Sequence, residues 1–287
     1  MARYKAYAIT TKYWRPGEDY VRQIIKSIKG KVSDGDFVVI SEKAIATAMG
    51  NIIDESKVKP SLNAKIIAKL WMPLVWGYML GPVCHLKRKL IQQLRSYPWD
   101  AGSRHKQVAL QHAGLFQALM FGSEGGIDGT NLPYAYVCLP LKNAQNIAEE
   151  IHREIFEAFG IKVCVIIADT DKTYSFRNFH FTPRPKPIRG IKSLGGFIAY
   201  VVGRMLKLKK RATPIGVAGQ PISAEETLTI SEIANRARGY GAGRTVWEMA
   251  EKFNVELNKV SWEMLETVTH KPIVIVRATS SAAKHVF

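Results

Sequence analysis

Apolar residues Val21, Ile24, Ile25 and Ile28 fall at i, i+3, i+4 and i+7 between Pro16-Gly17 and Gly30, a spacing that predicts an amphipathic helix. Arg3 and Lys5 lead into a short strand at Ala6-Tyr7-Ala8-Ile9, and the turn Asp34-Gly35-Asp36 opens the unbroken apolar run Phe37-Val38-Val39-Ile40, a buried strand. Residues 62 to 121 read as mostly helical with irregular breaks. Beyond them the pattern predicts a strand over Ala135 to Leu139, a helix over Asn143 to Phe159 stopped by Gly160, and a Val- and Ile-rich strand over Lys162 to Ala168. Strand, helix, strand is the order of a crossover unit. It sets Asp169 and Thr170 just beyond the carboxyl end of a buried strand, where open α/β sheets collect ligands, although Asp-Thr also serves as an ordinary turn or helix cap. Three prolines and three basic residues make Phe181 to Arg189 a loop, and Lys207 to Arg211 is a basic run, so the two bound an inserted segment near 185–211. A capping box, Ser223-Ala224-Glu225-Glu226, opens a helix towards Arg238. The loop Gly239 to Arg244, a helix near Trp247 to Phe253 and a strand at Pro272 to Val276 complete the chain. The fold class is α/β with α+β character: mixed sheets flanked by helices, 1–287 as one unit with sub-domains at 1–121 and 122–287.

Composition changes the picture through charge. Forty-one Lys and Arg against 24 Asp and Glu give +17 at neutral pH, a field that attracts phosphates, nucleic acid or acidic lipid. Cys84, Cys138 and Cys164 sit in apolar contexts without paired spacing and read as core residues of a reduced, cytoplasmic protein. No signal-peptide pattern opens the chain. Two apolar stretches end in basic clusters, Leu70 to Leu86 and Leu194 to Leu206; prolines break the first and the second is too short to span, so both read as buried or interfacial helices of a cytoplasmic or membrane-associated protein.

Candidate chemistry concentrates in two acidic motifs, Gly126-Ile127-Asp128-Gly129-Thr130-Asn131 and Ala168-Asp169-Thr170. With the oxygens of Asn131 and Thr170, the two carboxylates form the hard, all-oxygen set that suits Mg²⁺ or Mn²⁺ beside phosphate. The glycine loop, Gly241 and Gly243 included, offers backbone N–H groups to a nucleotide phosphate. Neither a P-loop nor a strand-anchored G-x-G-x-x-G is present, which excludes those nucleotide sites, and the spacing of Cys and His excludes a zinc centre. His112 and His180 each read as a surface or a satisfied core histidine in preference to a catalytic base.

In Arg15-Pro16-Gly17-Glu18-Asp19, Asp34 to Ile40 with Glu42-Lys43, Gly126-Ile127-Asp128 with Asn131, Ala168-Asp169-Thr170, Ile215 to Gly219 and Pro272 to Arg277, the chain resembles the coenzyme F-420: L-glutamate ligases, or gamma-glutamyl ligases, in family order. The resemblance implies a two-part α/β fold, usually dimeric, and a metal-dependent, GTP-driven ligase adding L-glutamate to a deazaflavin coenzyme precursor through an acyl phosphate. It further implies that Asp128 and Asp169 ligate one Mg²⁺ or Mn²⁺ and Thr170 a second, with K⁺ as an additional cation, and that Glu42, Lys43 and Asn131 touch the nucleotide. It assigns no catalytic residue. The chain departs from the family at Thr47, where a lysine is expected, at Met49, where an acid is expected, and after Asp169-Thr170, where Asp171 to Phe176 replaces G-R-P-x and only Arg177 survives. Two readings follow: a ligase of an anionic carboxylate, or a non-catalytic relative that binds an anionic ligand, nucleic acid or a membrane surface.

Overall fold

A computed structural model describes residues 3–122 and 124–279. Its centre is a seven-stranded mixed sheet of β1 (Tyr4–Thr11), β2 (Phe37–Ser41), β5 (Cys164–Phe176), β6 (Phe179–Thr182), β7 (Lys192–Ser193), β8 (Lys209–Ala218) and β9 (His270–Ala278), in the order β1-β9-β2-β5-β6-β7 with β8 paired to β5. β2 and β5 run parallel, Phe37 opposite Cys164 through Ser41 opposite Ala168. Both strands are covered on two faces, which is why they read as continuous apolar runs. Val38, Ile40, Val165 and Ile167 join α1 (Tyr20–Ile28) and α7 (Ala144–Phe159) in one core, while Phe37, Val39, Cys164 and Ile166 meet α9 (Ala224–Arg238) in another. Ile24 and Ile28 of α1 are fully buried, worth about 1.5–3 kcal/mol each. Gly160 stops α7 in a left-handed conformation, and Ser223 caps α9 by accepting from the Glu226 amide.

Three expectations are corrected. The strand after α7 does not end at Ala168; β5 runs on to Phe176 through Asp169-Thr170, with irregular pairing to β8 at that point. The 135–139 strand is β4 (Tyr136–Cys138), which pairs with β3 (Ile52–Asp54) in a separate two-stranded sheet, so α7 joins two sheets and is not a crossover within one. The predicted loop from Phe181 begins inside β6. The long helical region holds α3 (Leu62–Val83), whose Ile67–Leu80 stretch is π-helical around Pro73, then α4 (Arg88–Arg95), α5 (Trp99–His112) and α6 (Leu115–Ala118). It has its own core of Ile67, Met72, Trp76, Leu94, Val108 and Ile127.

This topology makes the site. β2 gives way to α2 (Glu42–Ala48) opposite Ala168, and β5 does not meet β6 until Tyr174. Between these points one edge of β5 is open, and Asp169 lies there.

Candidate functional site

A cavity of about 560 Å³ opens over this gap, lined by Lys43, Asp128, Asn131, Asp169, Thr170, Gly241 and Gly243, so all but one of the site residues expected from sequence face one space. Glu42, the exception, is buried beneath it. The successive residues Glu42 and Lys43, at the head of α2, hold separate sets of partners. Lys43 pairs with Asp128 and donates to the Thr130 carbonyl at 3.0 Å and hydroxyl at 2.7 Å. Asp128 is further held by the Thr130 amide at 2.7 Å, a local Asx turn. Glu42 accepts from the Leu141 amide at 2.8 Å and from Arg184.

Arg184 was not anticipated as a site residue. Its guanidinium is 2% exposed and bridges Glu42 and Asp169, the latter at 2.6 Å. Gly126 adopts φ +100°, and a Cβ there would lie inside the Arg184 guanidinium, which explains the glycine in that motif. Burial pushes the Glu42 carboxyl up to about 7 despite Arg184 beside it; burial opposes the charge of Arg184, but Glu42 and Asp169 overrule it and raise its pKa.

The two carboxylates expected to hold a divalent cation thus each carry a fixed cation. Asp169 is bound to a buried guanidinium, and both oxygens of Asp128 serve Thr130 and Lys43. In this arrangement Arg184 occupies Oδ2 of Asp169, and Thr130 with Lys43 occupies both oxygens of Asp128, so a divalent cation bound here shares its carboxylates with fixed cations. Among the described residues no group of three His, Cys, Asp or Glu side chains stands together as a metal set.

Asn131 binds the glycine loop: its Oδ1 accepts from Ala242 at 2.6 Å and its amide reaches the Tyr240 and Gly243 carbonyls. The amides of Ala242, Gly243 and Arg244 are spent on Asn131, Tyr240 and Glu248, which leaves few for a phosphate.

The opposite condition holds at Arg238, the last residue of α9. It lines the cavity, yet its Nε and Nη2 are buried without a hydrogen-bond partner, and so are Trp14 Nε1 and Asn235 Oδ1 on the same wall. Burial drags the Arg238 pKa down to about 10. His270 is held neutral by burial, its pKa near 4, with Nδ1 donating to the Lys12 carbonyl at 2.9 Å and its ring stacked on Tyr13. A second network missed by sequence lies at the other end: His105 bridges Glu55 at 2.7 Å and Glu124 at 2.8 Å, and buried Lys106 also pairs with Glu124. Burial opposes the His105 charge, but the two carboxylates lift its pKa to about 10. His112 is exposed, and His180 is buried against Ser175.

An uncharacterized protein of Methanocaldococcus jannaschii is similar to this chain over 285 residues, 38% identical, covering 95% of this chain and 96% of that protein. Coenzyme F420:L-glutamate ligases of Archaeoglobus fulgidus and Methanopyrus kandleri are 26% and 24% identical over 160 and 156 residues. Those matches cover 55% and 54% of this chain and 55% of each ligase, so the chain aligns with about half of each. A sequence model of the F420-0:Gamma-glutamyl ligase family matches residues 8–231, which takes in Glu42, Lys43, Asp128, Asp169 and Arg184 and stops short of Arg238. On that match across most of its length, the chain belongs to the F420-0:gamma-glutamyl ligase family.

Proposed function

We propose that this protein is an amide ligase that joins L-glutamate to the carboxylate of a deazaflavin coenzyme precursor, driven by GTP. In this reaction a substrate carboxylate oxygen attacks the γ-phosphorus, GDP leaves with the bridging oxygen, and the glutamate amine then displaces inorganic phosphate from the acyl carbon, losing a proton. The observation that carries the reading is the convergence of both acidic motifs, Lys43 and the Arg238 guanidinium, whose Nε and Nη2 lack partners, on one cavity. Arg238 has N–H groups without acceptors, and an anionic oxygen of the substrate satisfies them and restores the favoured charge. Arg244 on the cavity lining adds positive charge that opposes the negative charge developing on phosphate, while the charge of Lys43 is balanced by Asp128. Arg184 acts indirectly, holding Glu42 and Asp169 in place. No step is routed through a metal, since the acidic pair is engaged by its own cations.

The test is incubation with GTP, L-glutamate and the deazaflavin precursor, following phosphate release and product mass. One phosphate per added glutamyl residue is expected. The internal neutralisation of Asp128 and Asp169 favours a second reading, a relative that binds an anionic ligand without turnover. Calorimetric binding of the precursor with no phosphate release selects it over the first.

A further inference from the structure

We propose that the face formed by α3, α6 and the helix α8 (Phe197–Met205) docks on the surface of a bilayer containing anionic lipid. α3 is the one helix among the described residues long and apolar enough to cross a membrane, but it lies along the body, with Ala64, Ile67, Ala68, Met72 and Trp76 buried against its own core. The outward stripe is what needs explaining: Leu62, Ile66, Leu70, Leu74, Tyr78 and Met79 recur about every fourth residue and are between 46% and 72% exposed. The second apolar stretch continues the same surface. Phe197 of α8 stands 5.5 Å from Trp71 and stacks on Phe116, and Arg204 of α8 donates to the Cys84 carbonyl at 3.0 Å, which sets exposed Ile198, Met205 and Phe116 beside α3. Proteins seldom leave so many neighbouring large apolar side chains in water without a partner.

Charge selects the occupant. No acidic residue occurs between Ser56 and Trp99, or between Lys172 and Ala224, so both segments forming this face carry basic charge alone. Lys65, Lys69, Lys87, Arg88 and Lys207 are exposed on or beside the apolar stripe. Apolar side chains rimmed by lysine and arginine match the acyl boundary and headgroups of an anionic leaflet. A second copy would bring an equally basic rim against this one, and a nucleic acid offers phosphates but nothing for a row of Leu, Ile and Met. The proposal is independent of the ligase reading.

The test is co-sedimentation of the full chain with vesicles of phosphatidylcholine alone and with about one third phosphatidylglycerol, at low and high salt. Expected is binding to the anionic vesicles that weakens with salt, and a drop of at least about tenfold for Leu70→Glu with Leu74→Glu. These positions are exposed, and an unchanged thermal melt checks the fold. Lys65→Glu with Lys69→Glu should weaken the anionic vesicles selectively. Equal sedimentation of wild type and Leu70→Glu/Leu74→Glu overturns the proposal. So does no vesicle binding by a wild type whose light-scattering mass is dimeric and becomes monomeric in that variant, because the face then belongs to a second copy.

Discussion

Replacing Arg184 by Met removes one charge from the cavity floor while keeping much of the side-chain volume, and the consequences can be worked out from its two partners. Glu42 and Asp169 are left in a buried site without their shared cation, and breaking a buried pair of this kind costs about 3–5 kcal/mol. The loss depends on pH. In the wild type the Glu42 carboxyl is raised from 4.5 to about 7, so the folded state binds its proton more tightly than the unfolded chain. That contribution is fully present below about pH 4.5 and is lost as pH rises to about 7, a swing on the order of 3 kcal/mol. Without Arg184, which lowers the Glu42 pKa, the decline extends above pH 7 in the variant. The same substitution frees Asp169 and Glu42 for a divalent ion. If the variant binds Mn²⁺ with a dissociation constant near 10 μM, 1 mM metal restores about 2.7 kcal/mol. Urea melts of both proteins between pH 5 and 9, with and without Mn²⁺, read all three effects. Equal stabilisation of wild type and variant by Mn²⁺, or a loss below about 1 kcal/mol at pH 8, refutes the assignment of Arg184 as the cation that serves these carboxylates.

Three further outcomes follow from the geometry. Arg238→Met is expected to lower affinity for pyrophosphate at least about tenfold by calorimetry and to leave urea stability unchanged or slightly higher, because two buried nitrogen donors without acceptors disappear. Gly126→Ala should cost about 2–4 kcal/mol in the same melts, through its φ of +100° and the collision with Arg184; a neutral result contradicts the packing. The His105 pKa of about 10 lies above the ordinary 6.5, so its stabilisation is complete below about pH 6.5 and is lost as pH rises towards 10. Ring proton and nitrogen shifts in NMR are expected to show a charged imidazole at pH 8, and Glu124→Gln should bring its titration down.

Much of the scaffold could be read without coordinates, for reasons visible in particular residues. The spacing of Val21 to Ile28 gave α1, the run Phe37 to Ile40 gave β2, and Ser223 with Glu226 marked the start of α9. The acidic motifs were legible as a pair because both border apolar segments, and they do line one cavity. Hidden were features that depend on contacts remote in sequence. Nothing near Arg184 in its proline-rich segment signals that its guanidinium reaches Glu42, 142 positions away, and His105 gives no hint of the carboxylates on either side of it. The continuation of β5 through Asp169 was missed because Asp-Thr favours turns, and pairing with β8 overrides that local preference. The interior order of 62–121 was obscured by Pro73, around which the helix widens instead of breaking.

The junction of Glu42 and Lys43 has a kinetic consequence. These adjacent residues close chain loops of 142 and 85 positions, so the cavity floor can be sealed only after both halves of the polypeptide have collapsed around the parallel pair β2 and β5. Contacts of such long sequence separation are expected to form after the folding barrier. Weakening them with Lys43→Met should hasten unfolding in stopped-flow experiments while leaving the refolding rate nearly unaltered, which makes this two-residue corner the latch that sets how long the assembled chain stays closed.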